Sequence, residues 1–256
     1  MSDNNITSDI EGKKVFFLYP TASVKNHIIE ELVQQEYEVY ISKNHKNLAQ
    51  ALKKYSDSIV YVNIDEAMSK EEWEKWVGAM KDNLPNVRVG IFSSIVDDDL
   101  RDKFLNYQHV ACGFMNSKTD MEKNTAKILD VHKVMKVKGR RKYIRASTKS
   151  ENTATINIPF NGKYINGTIK DISVIGISCT LDQLYELKKN TLLTNIQIRL
   201  QSMLLKVDAV LLGSRMDGPE KIYVMLFTQR LDTELQSKIR KYIQNNLQSK
   251  MDSEIN

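Results

Sequence analysis

The first half of the chain alternates apolar, strand-like runs with segments whose apolar residues recur at helical spacing. The strand-like runs are VFFLY (15–19), YEVYIS (37–42), SIVYVNI (58–64), VRVGIFSS (87–94) and VACGFM (110–115). An unbroken apolar run such as VFFLY is typical of a strand covered on both faces, and strands that alternate with helices assemble into parallel sheets. The pattern therefore predicts a doubly wound α/β sheet of the flavodoxin-like type.

A helix-like segment follows each of these runs. The segments are SVKNHIIEELVQQ (23–35), NLAQALKKY (47–55), SKEEWEKWVGAMK (69–81), DDDLRDKFLNY (97–107) and TDMEKNTAKILDVHKVMKV (119–137). Ser23 is a plausible N-cap of the first helix, and Ser69 with Glu72 has the spacing of a capping box. We expect the last helix to run straight into the basic stretch KVKGRRKYIR (136–145).

The second half has the period of strands. The segments are TINIPF (155–160), YINGTIK (164–170), GISCTL (176–181), TNIQIRL (194–200), LLKVDAVLL (204–212) and KIYVMLF (221–227). Six short strands separated by turn formers indicate a small antiparallel barrel or sandwich. The closing segment, 232–250, has one apolar stripe and predicts an amphipathic helix. We place the boundary between the two domains after residue 138, so that they comprise 1–138 and 139–256.

The net charge is concentrated in the second half of the chain. Residues 139–256 carry 18 Lys and Arg against 11 Asp and Glu, a net charge of +7, whereas residues 1–138 carry 19 against 21. An anionic partner is therefore expected to bind the second domain.

Several classes of protein are not indicated by the sequence. Cys112 and Cys179 are isolated within apolar runs, which argues against a disulfide framework and favours a reducing, cytoplasmic location. No apolar run is long enough for a membrane span. The four histidines have no metal-ligand spacing, and no nucleophile motif is present. We therefore expect neither an enzyme nor a protein with a cofactor or metal.

Two short motifs in the second half carry the candidate chemistry. Arg141 and Arg145 form R-x-x-x-R within the basic stretch, and Asp171, Ser173 and Gly176 form D-x-S-x-x-G at the junction of two predicted strands. Taken alone, the first is most simply a solvated charged face, and the second is most simply a turn.

In this order and ahead of a six-stranded barrel, the two motifs resemble the PilZ domain, the family of cyclic di-GMP receptors. The resemblance covers about residues 139–250 and implies a six-stranded antiparallel barrel with a C-terminal helix. It implies that Arg141 and Arg145 bind guanine and phosphate from a flexible arm. Asp171 and Ser173 would contact the ligand from the barrel, and Gly176 would keep that surface low.

The chemistry of the residues agrees with these implied roles. An arginine fork can donate two hydrogen bonds to guanine O6 and N7 or to phosphate, and its plane can stack on a base, which lysine cannot copy. Asp171 can accept from the N1–H and amino edge of guanine, while Ser173 can donate to a phosphate or hold Asp171. A side chain at Gly176 would demand an unsuitable backbone angle or block the ligand. In this family the residue before the first arginine, here Arg140, influences whether a stacked pair of ligand molecules is bound, so we predict a pair; the alternative is that Arg140 is simply an exposed residue.

The first half resembles a degenerate receiver domain of response regulators. Asp65 ends the third predicted strand, where the phosphoacceptor would lie, and Ser93 or Ser94 and Lys118 fall near other signalling positions. The acidic pair expected after the first strand is missing, since Tyr19 stands there. Without those carboxylates no Mg²⁺ is held for phosphoryl transfer, so we interpret Asp65 as a loop residue.

These observations predict a cytoplasmic, non-enzymatic receptor that binds cyclic di-GMP and responds by changing its domain arrangement or its binding of a protein partner. That partner, unidentified, would bind through the N-terminal domain, and we expect no DNA binding. Receptors of this type serve processes such as motility. Two alternatives stay open: a nucleic-acid-binding protein that uses the basic half, and a regulator controlled by phosphorylation of Asp65.

Overall fold

The computed structural model describes residues 12–95, 98–148, 154–228 and 231–255. Contacts divide the chain into two compact units. The first comprises Met1–Lys142 together with Gln248–Asn256, and the second comprises Tyr143–Leu247.

The first unit contains a five-stranded parallel sheet. Its strands are β1 (Lys14–Leu18), β2 (Val39–Ser42), β3 (Ser58–Asn63), β4 (Arg88–Ser93) and β5 (Gly113–Asn116). Their order is β2-β1-β3-β4-β5, and every neighbouring pair is parallel. The strand order reverses at β1, which is the topology of a doubly wound sheet and confirms the prediction for this half.

Helices connect these strands. A π-helical segment (Val24–Ile29) continues as α1 (Glu30–Gln34), and the others are α2 (His45–Lys54), α3 (Lys70–Asn83), α4 (Asp98–Leu105) and α5 (Met121–Val134). The capping box of Ser69 and Glu72 is confirmed at the start of α3. The N-cap predicted for the first helix is wrong by two residues, because Thr21 accepts a hydrogen bond from the Val24 N–H at 3.2 Å, whereas Ser23 already has helical dihedrals.

The chain leaves α5 differently from the prediction. The helix ends at Val134 rather than at residue 137, and Lys136 has φ 50°, which an α-helix does not allow. Val137 is 1% exposed within the core of the first unit, and Lys138 forms an isolated antiparallel bridge with Gly12. Burial of Val137 therefore directs the chain out of the helix before the arginines are reached.

The second unit is a closed antiparallel barrel. Its strands are β6 (Ala146–Ser147), β7 (Thr155–Phe160), β8 (Lys163–Ser173), β9 (Gly176–Leu181), β10 (Leu192–Leu200), β11 (Met203–Asp217) and β12 (Glu220–Phe227). Six of them follow the order β8-β7-β10-β11-β12-β9, and β9 pairs with β8 to close the ring. Closure removes the sheet edges and confirms the six-stranded barrel; the short strand β6 on β8 was not predicted.

The core of the barrel is built from the inward side chains of alternating strand positions. On β10, for example, Ile196 and Ile198 are fully buried while Gln197 between them is exposed. The chain ends in α6 (Thr233–Ile255), from which Ile239, Tyr242 and Ile243 pack into this core. In the described part of the chain, no helix combines the length and the apolar character that a membrane crossing requires.

Candidate functional site

The D-x-S-x-x-G motif forms the tight connection between β8 and β9. Ser173 is the last residue of β8, and Gly176 is the first residue of β9. Ser173 is 4% exposed, and its hydroxyl donates a hydrogen bond to the Gly176 carbonyl oxygen at 3.2 Å. Ser173 therefore closes the turn from the inside, and its predicted contact with a ligand stays a prediction.

Gly176 is required by the close approach of a neighbouring strand. A Cβ built at this position would lie 2.3 Å from the carbonyl oxygen of Met225 on β12 and 3.1 Å from a Leu226 side-chain carbon. Its φ is outside the left-handed region, so the expectation of an unsuitable backbone angle is wrong. The glycine allows β9 to pack against β12. That the missing side chain also lets a ligand approach the barrel surface stays a prediction.

A β-bulge in β8 turns Asp171 to the outside of the barrel. The pairing of β8 with β9 shifts between Ile169 and Asp171, so Lys170 is the extra residue. Ile169 and Ile172 are both fully buried, while Lys170 and Asp171 between them are partly exposed. In a regular strand Asp171 would share the inward face of Ile169, so the bulge is what presents its carboxylate to solvent.

Two side chains approach the Asp171 carboxylate from opposite sides of β8. Ser178 lies directly across from it on β9 and donates a hydrogen bond to Oδ2. Arg145 immediately precedes β6, and the pairing of β6 with β8 places Ser147 opposite Asp171. The Nη1 atom of Arg145 lies 3.8 Å from Asp171 Oδ1. The Arg145 side chain is 47% exposed and that of Asp171 is 31% exposed. A cation and a hydrogen-bond acceptor thus lie side by side on the outer face of the barrel.

The structure brings together only part of the predicted site. Arg145, Asp171, Ser173 and Gly176 all lie in the second unit, around the β8–β9 turn and β6. Arg140 and Arg141 are exposed and are grouped with the first unit, in a segment without helix or strand. The convergence of Arg141 on the same ligand, and the effect of Arg140 on ligand number, stay predictions.

Asp65 in the first unit lies within a cluster of internal hydrogen bonds. Its Oδ1 pairs with the Lys70 ammonium at 2.6 Å and accepts from the Ser93 hydroxyl at 2.8 Å, and its Oδ2 accepts from the Ser94 N–H. Burial alone would raise the pKa of Asp65, but these hydrogen bonds outweigh it and hold that pKa below its ordinary value. The carboxylate is therefore an ionised group that ties the loop after β3 to the loop after β4.

The position of the missing acidic pair is occupied by an aromatic residue. Tyr19 follows β1 with φ 53°, and its hydroxyl lies 3.1 Å from His45 Nδ1. Trp73 packs edge-on against both rings. Within the described residues, no group of three or more His, Cys, Asp or Glu side chains is placed to hold a metal ion. The contacts of the Asp65 carboxylate described above are with a lysine ammonium, a serine hydroxyl and a backbone N–H.

Sequence reasoning missed Ser178, Lys70 and the bulge. The spacing of the two buried residues Ile169 and Ile172 breaks the alternation of a strand, and this signal could have revealed the bulge. Ser178 could have been identified only after β8 and β9 were placed in register. Lys70 lies five residues after Asp65, beyond a loop whose path the sequence does not specify.

Solved structures of two kinds are similar to this chain. One is the PilZ domain of YcgR from Escherichia coli with c-di-GMP, at 17% identity, covering 45% of this chain and 96% of that one, with a TM-score of 0.37. Another is a response regulator from Thermotoga maritima, at 16% identity, covering 47% and 97%, with a TM-score of 0.41. The chain resembles PilZ-domain proteins and receiver domains. At these identities and TM-scores the likenesses carry no argument about chemistry.

Longer proteins are matched over only part of their length. The transcription regulatory factor MrkH, described as c-di-GMP-dependent, has 22% identity and a TM-score of 0.37, with 43% of this chain and 52% of MrkH covered. The chain likewise spans 51% of the YcgR structure that was solved in complex with c-di-GMP. No protein-family model matches the chain, and no curated protein matches it.

Proposed function

We propose that the chain is a receptor for cyclic di-GMP and that its barrel carries the ligand site. The observation that carries this proposal is the Arg145 guanidinium beside the outward Asp171 carboxylate, at the turn formed by Ser173 and Gly176. Guanine offers acceptors at O6 and N7 and donors at N1 and its amino group. An arginine and a carboxylate on one surface match both edges, and the arginine can also bind the phosphates.

The arginines of the basic stretch complete the proposed site. Arg141 supplies the second guanidinium of R-x-x-x-R, and Ser173 and Gly176 hold the surface on which the ligand lies. Arg140 favours a stacked pair of ligand molecules, which calorimetry would show as two molecules per chain. We keep residues 139–256 as the PilZ-like domain and 1–138 as the receiver-like domain.

Substitution of Arg145 tests the proposal. Arg145→Ala should weaken binding of cyclic di-GMP by about 30-fold, since a hydrogen bond to a charged group contributes about 2 kcal/mol. Arg145→Lys should fail nearly as badly because an ammonium cannot form the fork. Arg199 is an exposed arginine on β10, and Arg199→Ala is the matched control. Isothermal titration calorimetry of the wild type and these variants measures the affinities, and equal affinity in all of them would contradict the assignment.

We propose that the response to the ligand is mechanical rather than catalytic. Capture of the ligand by Arg141 and Arg145 would pin the segment 136–146 to the barrel and change the arrangement of the two units or the surface offered to a protein partner. The buried, free thiols of Cys112 and Cys179 fit a protein of the reducing cytoplasm. Identical small-angle scattering with and without saturating ligand would count against a change of arrangement.

The excess of positive charge in the second half supports one alternative, direct binding of nucleic acid. The +7 charge of residues 139–256 would then act on phosphates as a whole. This alternative predicts steep salt dependence, tolerance of Arg145→Lys and competition by simple polyanions. The receptor predicts none of these, so one competition experiment with heparin and cyclic di-GMP separates the two functions.

A further inference from the structure

The structure assigns to Ser178 the role of positioning Asp171 for its ligand, an inference that rests on the proposed function. Ser178 belongs to neither motif. It lies on β9 directly opposite Asp171, and its hydroxyl donates to Oδ2 of that carboxylate. We infer that this hydrogen bond fixes the orientation in which Asp171 meets guanine.

The environment of Ser178 makes its hydroxyl a fixed donor. The residue is 4% exposed, and its backbone is paired on both sides, with Asp171 of β8 and with Val224 of β12. A buried hydroxyl that left Asp171 for another partner would lose a hydrogen bond to a charged group without regaining one from water. The Ser178 side chain therefore holds Oδ2 in one place.

The bulge in β8 creates this pair. Because Lys170 is the extra residue, Asp171 rather than Lys170 comes into register with Ser178. Lys170 pairs instead with Glu220 at 2.9 Å and does not compete with Arg145 for the Asp171 carboxylate. Bulges commonly re-aim one side chain in this way.

The number of acceptor sites on the carboxylate leaves room for guanine. An ionised carboxylate offers about four lone-pair sites. Ser178 occupies one of them on Oδ2, and Arg145 faces Oδ1 at 3.8 Å. Because 3.8 Å is longer than a hydrogen bond, Oδ1 can still accept from N1–H or the amino group of guanine. Without the Ser178 donor the carboxylate can rotate toward the Arg145 guanidinium, and both groups would have to be reoriented before the ligand binds.

A pair of isosteric variants tests this inference. Threonine and valine have nearly the same shape and both suit a strand, but only threonine keeps the hydroxyl. Ser178→Thr should bind cyclic di-GMP within about threefold of the wild type, and Ser178→Val about tenfold more weakly, since it removes one hydrogen bond to a charged group. Thr180→Val, two residues along the same face of β9, is the matched control and should bind like the wild type.

A double-mutant cycle separates positioning from a general effect on the barrel. In an Asp171→Ala background, Ser178→Val should cost no further affinity relative to Ser178→Thr, because the carboxylate that it positions is absent. Far-UV circular dichroism and thermal melting confirm that each variant is folded. If Ser178→Val folds poorly, the comparison of Ser178→Thr with Ser178→Ala addresses the same hydroxyl.

The outcomes distinguish this inference from the proposed function. A wild type without affinity for cyclic di-GMP would overturn the proposed function. A wild type that binds and an Asp171→Ala variant that binds measurably more weakly, together with equal affinities for Ser178→Thr and Ser178→Val, would overturn the inference alone. An equal loss for Ser178→Val with and without Asp171 would also overturn it, because Ser178 would then act on another group.

Discussion

Acidification should destabilise the first unit through His132, a histidine of α5 that is 1% exposed. Its Nε2 lies 3.0 Å from the Tyr61 hydroxyl, and its Nδ1 has no hydrogen-bond partner among the described residues. Burial lowers the pKa of His132 from 6.5 to about 4. The side chain is therefore neutral in the folded protein at pH values where it would be protonated in the unfolded chain.

The magnitude follows from the difference between the two pKa values. Between pH 6.5 and pH 4 the unfolded state binds a proton that the folded state does not, so stability falls as the pH falls. Each pH unit in this window corresponds to about 1.4 kcal/mol, which gives a loss of about 3 kcal/mol by pH 4. Below pH 4 the folded protein is protonated too, and this contribution no longer changes. The pKa of Asp65 is lowered in the folded protein, so its carboxylate contributes stability at pH values above its unfolded-state pKa. This contribution is lost only in more acidic solution.

Tryptophan fluorescence reports this effect selectively. The chain has two tryptophans, Trp73 and Trp76, and both lie on α3 of the first unit. Urea unfolding followed by fluorescence at several pH values from 7 to 4 gives the free energy of unfolding at each pH. The glutamine of His132→Gln cannot be protonated. The free energy of unfolding of this variant should therefore fall by about 3 kcal/mol less than that of the wild type between pH 7 and pH 4, whatever its value at pH 7.

His27→Gln is the matched control because His27 is exposed in the π-helical segment. The control should retain the pH dependence of the wild type. His109 is also buried, and its pKa is lowered mainly by burial, so some pH dependence will persist in His132→Gln. Superimposable pH profiles for the wild type and His132→Gln would refute the argument that burial of this neutral imidazole links folding to pH.

Two further predictions concern the residues that the two families would use. Gly176→Ala should destabilise the barrel by about 2 kcal/mol or more, because its Cβ would lie 2.3 Å from the Met225 carbonyl oxygen. Chemical unfolding followed by circular dichroism measures this loss. A variant of wild-type stability would contradict this packing. Treatment with acetyl phosphate and Mg²⁺ should leave Asp65 unmodified in intact-mass spectrometry, because the carboxylate oxygens are bound by Lys70, Ser93 and Ser94. A phosphoryl adduct that is lost in Asp65→Asn would instead support the phosphorylation alternative.

The fold could be predicted from the sequence to the extent that burial leaves a periodic pattern. The runs around Phe17 and Val60 are apolar without interruption because both faces of a central parallel strand are covered. On β10, Ile196 and Ile198 alternate with polar residues because one face is in water. Ser69 could be recognised as a cap because the capping box is local in sequence.

The features that the sequence did not reveal depend on contacts between distant segments. Thr21 rather than Ser23 caps the first helix, and nothing in the local sequence separates two neighbouring hydroxyl residues. The pairing of Lys70 with Asp65 depends on the path of a loop. Similarly, the hydrogen bond of Ser178 to Asp171 depends on strand register, which the bulge at Lys170 shifts by one residue.

The geometry of the D-x-S-x-x-G motif separates residues that build the barrel from the residue that can meet a ligand. Ser173 closes the β8–β9 turn, and Gly176 admits β12, so both would be needed by a barrel of this shape that bound nothing. Asp171 differs, since a bulge is required to turn it outward and a partly exposed carboxylate is not needed to fill a core. Loss of binding on substitution of Ser173 or Gly176 would therefore be ambiguous. Substitutions at Arg145 and Asp171, in variants shown to be folded, decide instead whether this surface binds a guanine nucleotide.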